Sequence, residues 1–360
     1  MNFTRHGRTS VGGATRLLQA SDGWCAVSLS RPADLALVPA MLGRADVTDP
    51  WQELTAAVRG AKASEFVGHI RLFGVPAAAL PRKPLSVDVP WQVSTIAASN
   101  DDVQLKGALV VDLSALWAGP LCARLLGLAG ARVVKVESIR RPDGARGGNR
   151  CFYDWLHAGH ESVAVDFTLP KGRSALAELV RAADVVIEAS RPRALAELGL
   201  APERLDHRAG KVWVSITGYG RHHPDRVAFG DDAAVAGGLV GRSADGDPVF
   251  CADAVADPLT GVVAALGAMG ALARGGGQLI DVSMRNVAAV FAAAQPADHG
   301  PHTVRTTGAG AVVECPALGR TQQVLPPRAP VPEGTAAAMG ADTVRILSRG
   351  AGLRGRSAPR

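Results

Sequence analysis

Short runs of Val, Ile, Leu and Ala recur through the middle of this chain, each closed off by glycine, proline or polar residues. Leu109–Leu113, Arg132–Glu137, Ser162–Phe167, Asp184–Ala189, Val212–Thr217 and Leu279–Ser283 are each five or six residues long. That length and their β-branched content predict buried strands. Between several of them apolar residues recur every three or four positions, as over Lys171–Ala182, which predicts helix. Strands alternating with helices predict an α/β fold, a doubly wound, parallel, Rossmann-like sheet. Such sheets take ligands at the carboxyl ends of their strands. Asp257–Ala273 predicts one long apolar helix, with Pro258 in the first turn, where proline is tolerated.

Outside that pattern the chain reads differently. Residues 1–100 predict a smaller mixed α/β N-terminal unit. It has a strand at Trp24–Leu29, a helix start at Arg31-Pro32-Ala33-Asp34, a helix from about Trp51 to Leu72 and a proline-rich connector over Pro76–Pro90. Residues 101–295 form the Rossmann-like core and 296–360 a C-terminal extension without periodicity. Within the extension a short strand at Val312–Pro316 and a helix at Thr335–Leu347 are expected, and the final SRGAGLRGRSAPR reads as disordered.

Composition narrows the class. Apolar residues make up 47% and charged residues 20%, an ordinary globular balance. No uninterrupted apolar run reaches the ~18 residues of a membrane span, and no apolar stretch follows the basic N-terminus as in a secretory signal. The net charge of +6 comes from 33 Arg against 6 Lys. The arginines are dispersed rather than interleaved with aromatics, which argues against nucleic acid and suits a small phosphorylated anion. Five cysteines (Cys25, Cys122, Cys151, Cys251 and Cys315) show no C-x-x-C spacing. Neither a metal site nor a disulfide framework is expected, and a cytoplasmic location is.

Two features point to chemistry. Leu109–Glu137 is a βαβ unit whose strand-to-helix turn, placed at Ala118-Gly119-Pro120, faces the ligand end of the sheet, yet lacks the G-x-G-x-x-G of dinucleotide folds. Asp257 sits where a loop meets the long apolar helix. It reads either as an N-cap or as a nucleophilic carboxylate beside helix amides that stabilise developing charge. Asp253, four residues earlier, reads as a turn residue. The His222-His223 pair lies on a polar loop and reads as surface, and Gly275-Gly276-Gly277 as a helix-to-strand turn.

Several segments resemble the family III CoA-transferases, the CaiB/BaiF family. These are W-A-G-P-L-C-A-R-L-L-G-L-A-G-A after V-V-D-L-S, the Glu188–Arg193 loop, V-S-I-T-G-Y-G at Val214–Gly220, D-P-L-T-G at Asp257–Gly261 and G-Q-L-I-D-V-S-M at Gly277–Met284. The resemblance covers about Leu105–Ala293. It implies transfer of CoA between an acyl-CoA thioester and a free carboxylic acid through an aspartyl-CoA intermediate on Asp257. CoA would be a substrate, with no tightly bound cofactor and no metal. CoA would lie against Leu116, Trp117, Ala118, Gly119, Arg140, Val165, Asp166, Ala189, Ser190 and Arg191. An interlocked homodimer, or a heteromer with a related chain, is implied, without nucleic-acid or membrane partners.

The chain also departs from the family. The N-R-x-K-[RK]-S segment is His157-Ala158-Gly159-His160-Glu161-Ser162 here, a basic position falls on Thr168, another on Ser138, and a phosphate-holding arginine falls on Glu197. Arg140, Arg141, Arg191 and Arg193 stand nearby to compensate. Gly230-Asp231-Asp232 occupies the place of the racemases' G-H-D, so the imidazole of α-methylacyl-CoA racemisation is missing. The small-domain-like unit precedes the main fold, instead of lying within or after it. A non-catalytic member or partner subunit, or another acyl-CoA reaction, therefore stays open beside the transferase.

Overall fold

The computed structural model describes residue 4 and residues 6–294, 300–308, 310–325, 328 and 331–348. A hairpin of β1 (Thr15–Ala20) and β2 (Gly23–Ser28) comes first, with β3 (Ala77–Ala79) pairing antiparallel to β2. Between β2 and β3 run α1 (Pro32–Ala36), α2 (Val38–Leu42), α3 (Pro50–Arg59) and α4 (Ala63–Leu72). The single helix expected over Trp51–Leu72 is thus two. The chain breaks at Gly60, and α4 starts afresh where Asp22 accepts a hydrogen bond from the Ala63 amide at 2.7 Å. That cap comes from a distant segment, so helical periodicity could not reveal it. The proline-rich connector likewise contains β3.

The main sheet begins with β4 (Trp91–Thr95), β5 (Leu109–Asp112), α5 (Ala118–Leu128), β6 (Arg132–Ser138), α6 (Arg150–His157) and β7 (Glu161–Val165). The chain continues through α7 (Pro170–Ala182), β8 (Val185–Glu188), α8 (Pro192–Glu197), β9 (Val212–Thr217), α9 (Gly230–Gly237), the short β10 (Gly241–Arg242) and β11 (Pro248–Val249), which pair only with each other, α10 (Ala256–Ala273), β12 (Gln278–Ser283) and α11 (Met284–Ala293). Seven strands pair in the order β4-β12-β9-β8-β5-β6-β7, all parallel except β4, which is antiparallel to β12. The six expected runs all became strands of this doubly wound sheet. The seventh, β4, falls within the residues expected for the N-terminal unit and carries no strand pattern of its own. As an edge strand it leaves Gln92–Thr95 exposed, so it carries little of the apolar signal that marks a central strand.

Strand order reverses between β5 and β8, and open α/β sheets bind ligands in the crevice at such a switch point. One face of the sheet packs against α5, α9, α10 and α11 through residues such as Leu126, Val214, Ala264, Ala268, Ile280 and Val287. The other packs against α7 and the C-terminal segment through Leu176, Leu179, Trp213 and Ile346. Helix α10, with 18 residues and mean hydropathy 1.4, is the one described helix with the length and composition of a membrane span, and half of it is buried in the protein. The uncharged run inside this helix lies between Asp257 and Arg274 and stays short of the ~18 residues of a span, as expected from the apolar runs.

The extension holds three antiparallel strands rather than one: β13 (Thr303–Thr307), β14 (Gly310–Cys315) and β15 (Arg320–Gln323). The helix expected over Thr335–Leu347 shortens to α12 (Thr343–Leu347). Residues before it are drawn into other bonds, the Ala336 amide donating to Asp154 at 2.8 Å. The 295/296 boundary and residues 349–360 of the expected disordered tail lie outside the described residues.

Candidate active site

Acidic residues shape the ligand end of the sheet. Just past or at the carboxyl ends of three strands a carboxylate accepts from the amide two residues on. Asp112 takes Ser114 N at 2.9 Å, Asp166 takes Thr168 N at 2.9 Å and Glu188 takes Ser190 N at 3.1 Å. Each bond turns the chain sharply above the sheet. After β5 the turn occupies Leu113–Trp117, whereas Ala118-Gly119-Pro120, expected to form it, already belongs to α5. Gly119 is required there, because a Cβ on it would sit 2.1 Å from Ser114 Oγ. Leu116 is left-handed, at φ +70°.

A cavity of about 120 Å³ lies at the β5/β8 switch point. Leu116 and Ala118 line it on one side, Ala189, Ser190 and Arg191 on another, and Asp257 forms part of its wall. Most of the remaining wall comes from the end of β9 and the segment after it, including His223, Arg226 and Phe229, with Met284 of α11.

Asp257 is not a helix cap. The N-cap of α10 is Val255, which leaves Asp257 inside the first turn. Its carboxylate instead draws the backbone amides of Gly230 and Ala118, at the starts of α9 and α5. Two further helix N-termini thus point at the acid, a favourable setting for negative charge. Burial, followed by the nearby Asp231 and Asp232, nevertheless pushes its pKa up to about 7. The packing leaves no slack. A Cβ on Gly230 would lie 2.3 Å from Asp257 Oδ2, and one on Gly261 2.7 Å from Ala118 O. The glycine of D-P-L-T-G is therefore a contact point between α10 and α5.

Six of the expected site residues meet at this cavity: Asp257, Leu116, Ala118, Ala189, Ser190 and Arg191. Five do not line it. The Trp117 ring turns toward Phe152, with centroids 5.0 Å apart. Gly119 lies beneath Ser114. Arg140 pairs with Asp166 at 2.8 Å, which commits both side chains, and Val165 lies beside them at the end of β7. His222 and His223 are both exposed, as expected; His223 also stands on the cavity wall, and His222 bonds Gln92 Oε1 at 3.1 Å. Nothing in the sequence pattern singles out Arg226 and Phe229, because the polar loop after the V-S-I-T-G-Y-G motif shows no periodicity to aim its side chains.

The cations divide into two groups. Arg193 pairs with Glu197 at 2.7 Å, and Arg140 is likewise committed. Among the described residues, Arg191, Arg226 and Arg285 have no carboxylate partner. Burial, then Arg226 and Arg285, lowers the pKa of His223. The histidines of the altered basic segment do not restore its charge. His160 is pushed down to about 4, chiefly by burial and then by Lys135, and His157 is lowered for the same leading reason. Among the described residues no group of three His, Cys, Asp or Glu is placed to hold a metal ion.

The fold is a doubly wound α/β sheet with an acid at the meeting of helix N-termini in its switch-point cavity. The model of CoA-transferase family III matches residues 105–327, and the chain belongs to that family. It is 34% identical over 219 residues to a succinate–glutarate CoA-transferase of Agrobacterium fabrum, covering 54% of each chain. It is 32% identical over 200 residues to a succinyl-CoA–D-citramalate CoA-transferase of Chloroflexus aurantiacus, covering 51% of this chain and 48% of the relative. Among solved structures, a CaiB/BaiF family protein from Brucella suis superposes with a TM-score of 0.51 at 25% identity, over 59% of this chain and 65% of that one. The chain spans about half the length of the curated relatives it matches.

Proposed function

We propose that this chain transfers CoA between an acyl-CoA thioester and a free carboxylic acid, with Asp257 as the nucleophile. The observation that carries the reading is the Asp257 carboxylate in the switch-point cavity, facing the amides of Ala118 and Gly230. In the first step a carboxylate oxygen attacks the thioester carbonyl, the C–S bond breaks, and a mixed anhydride and CoA thiolate result. The thiolate then attacks the Asp257 carbonyl, releasing the donor acid and leaving an aspartyl-CoA thioester. The acceptor carboxylate and the freed thiolate repeat the two steps in reverse. The two amides would stabilise the oxyanion in the two intermediates formed by attack on the Asp257 carbonyl, by thiolate on the mixed anhydride and by the acceptor carboxylate on the aspartyl-CoA thioester.

A dicarboxylic acid is the acceptor we favour. The relatives just described act, by their names, on succinyl, glutarate and citramalate groups. Arg226, on the cavity wall and without a carboxylate partner, supports recognition of a second carboxylate. A second reading, a non-catalytic partner of a related chain, draws on Arg140 and Arg193 being held by Asp166 and Glu197. Assembly with a second copy or a related chain belongs to either reading, and light scattering measures it.

Intact-mass measurement after incubation with succinyl-CoA distinguishes them. The transferase gives a CoA adduct, converted by hydroxylamine to an aspartyl hydroxamate at residue 257 and absent from Asp257→Asn. Transfer to glutarate should fall in that variant by at least about three orders of magnitude. No adduct, together with no CoA binding by calorimetry, leaves the non-catalytic reading.

A further inference from the structure

Among the described residues only two other than glycine have left-handed backbone, Leu116 at φ +70° and Ala254 at φ +43°. Both adjoin Asp257. Leu116 lines its cavity, and the Ala254 carbonyl accepts from the Asp257 amide at 2.8 Å. Each has its own amide held by a buried aspartate. Asp143 Oδ1 accepts from Leu116 N at 3.0 Å, and Asp231 Oδ1 from Ala254 N at 2.9 Å. Backbone strain at a cavity persists only where its surroundings over-determine it.

The Leu116 side is the more elaborate. Leu116 is 41% exposed, so burial of its side chain does not explain the conformation. Asp143 is buried, and its second oxygen lies 2.9 Å from Lys135 Nζ on β6. Lys135 in turn donates to Ser114 O at 3.0 Å. One buried ion pair therefore grips the β5–α5 turn at two points, the Ser114 carbonyl and the Leu116 amide. Asp143 is itself fixed, its amide donating to Glu137 Oε1 at 3.0 Å and its Oδ1 also accepting from Ala145 N at 2.9 Å. Neither Lys135 nor Asp143 lines the cavity.

We propose that Asp143, locked by Lys135, is a positioning residue that holds Leu116 in its left-handed conformation and so shapes the cavity edge that CoA meets. The inference rests on the CoA reading of the cavity. A buried pair with one member removed leaves an uncompensated charge, so the tests do not depend on a single variant.

Hydrogen exchange of Asp143→Asn is the first. The Leu116 amide should exchange at least about tenfold faster, as for a bond weakened by ~1.4 kcal/mol, while the amides of α10 keep their protection. Unchanged exchange at Leu116 overturns the proposal without reference to CoA. Calorimetry with CoA is the second. Asp143→Asn should weaken binding by at least about tenfold in the Leu116 background, yet by less than about threefold in the Leu116→Gly background, since glycine adopts the conformation unaided. Equal losses in both backgrounds overturn it. If Asp143→Asn does not fold, Leu116→Val should bind CoA at least about tenfold more weakly than Leu116→Gly, because a β-branched residue resists positive φ. Equal affinity of those two overturns it. Failure of the unmodified protein to bind CoA would defeat the CoA reading instead, and leave the exchange result standing.

Discussion

Asp257 has opposing demands placed on it. A nucleophile must be ionised, yet burial and the neighbouring Asp231 and Asp232 hold its pKa at about 7. The sign follows: the protonated acid is inert, so kcat/KM should climb as pH rises through about 7 and level off above it. A profile flat from pH 5.5 to 8.5 would contradict an ionising Asp257 as the group that attacks. The glycines around it are a second handle. Gly230→Ala places a Cβ 2.3 Å from Asp257 Oδ2 and 2.4 Å from Ala254 O. We expect a loss of about 1–3 kcal/mol in stability from overpacking, and a larger loss of transfer, read by melting and by turnover with succinyl-CoA. The sequence made Asp257 and Gly261 legible, because D-P-L-T-G is local to one helix start. It left Asp231 and Asp232 as a missing histidine only. Their effect on Asp257 crosses from α9 to α10, and no spacing within either segment records it.

At the level of elements, most of the sheet was legible because its central strands are buried on both faces and read as continuous Val/Ile runs. The edge strand β4, the split between α3 and α4 and the sheet of β13–β15 were not, since each depends on a partner distant in sequence. Gly275-Gly276-Gly277 forms the expected helix-to-strand turn, and its geometry explains why three glycines are needed. All three have positive φ (85°, 67° and 74°), and a Cβ on Gly276 would lie 2.0 Å from Gly210 O. That contact pins the α10–β12 connection against the start of β9. Gly276→Ala should therefore destabilise the protein by about 1–3 kcal/mol. Gly60→Ala, at φ −89° with nothing within 4 Å of its Cβ position, should be neutral or slightly stabilising. Equal melting temperatures for the two variants would show that the turn relaxes without cost.

Across the whole molecule, the N-terminal unit is seated on the main fold through a mixed seam. Leu17, Ala26 and Ala78 pack against Tyr219, Val235 and Ala236, and Arg71 of α4 donates to Tyr219 Oη at 2.7 Å. At its centre Ser28 of β2 donates to Asp232 Oδ1 at 3.3 Å, and that oxygen also accepts from Phe229 N at 2.8 Å. Burial, then Asp231, pushes the pKa of Asp232 up to about 7, against about 3.9 in an unfolded chain. Between those values the folded state keeps a proton that the unfolded state releases, so this stabilisation is full below pH ~4 and disappears as pH rises through about 7. Asparagine keeps the accepting oxygen but has no proton to lose. The melting temperature of Asp232→Asn relative to the parent should therefore rise by several degrees between pH 5 and pH 8. The same substitution removes a charge that raises the pKa of Asp257, so the midpoint of the pH–rate profile should move down with it. A melting difference that does not change with pH would mean that Asp232 is ionised in the folded protein. A shifted stability profile with an unmoved rate profile would mean that the seam and the cavity titrate independently, and that Asp257 owes its raised pKa to burial and Asp231 without Asp232.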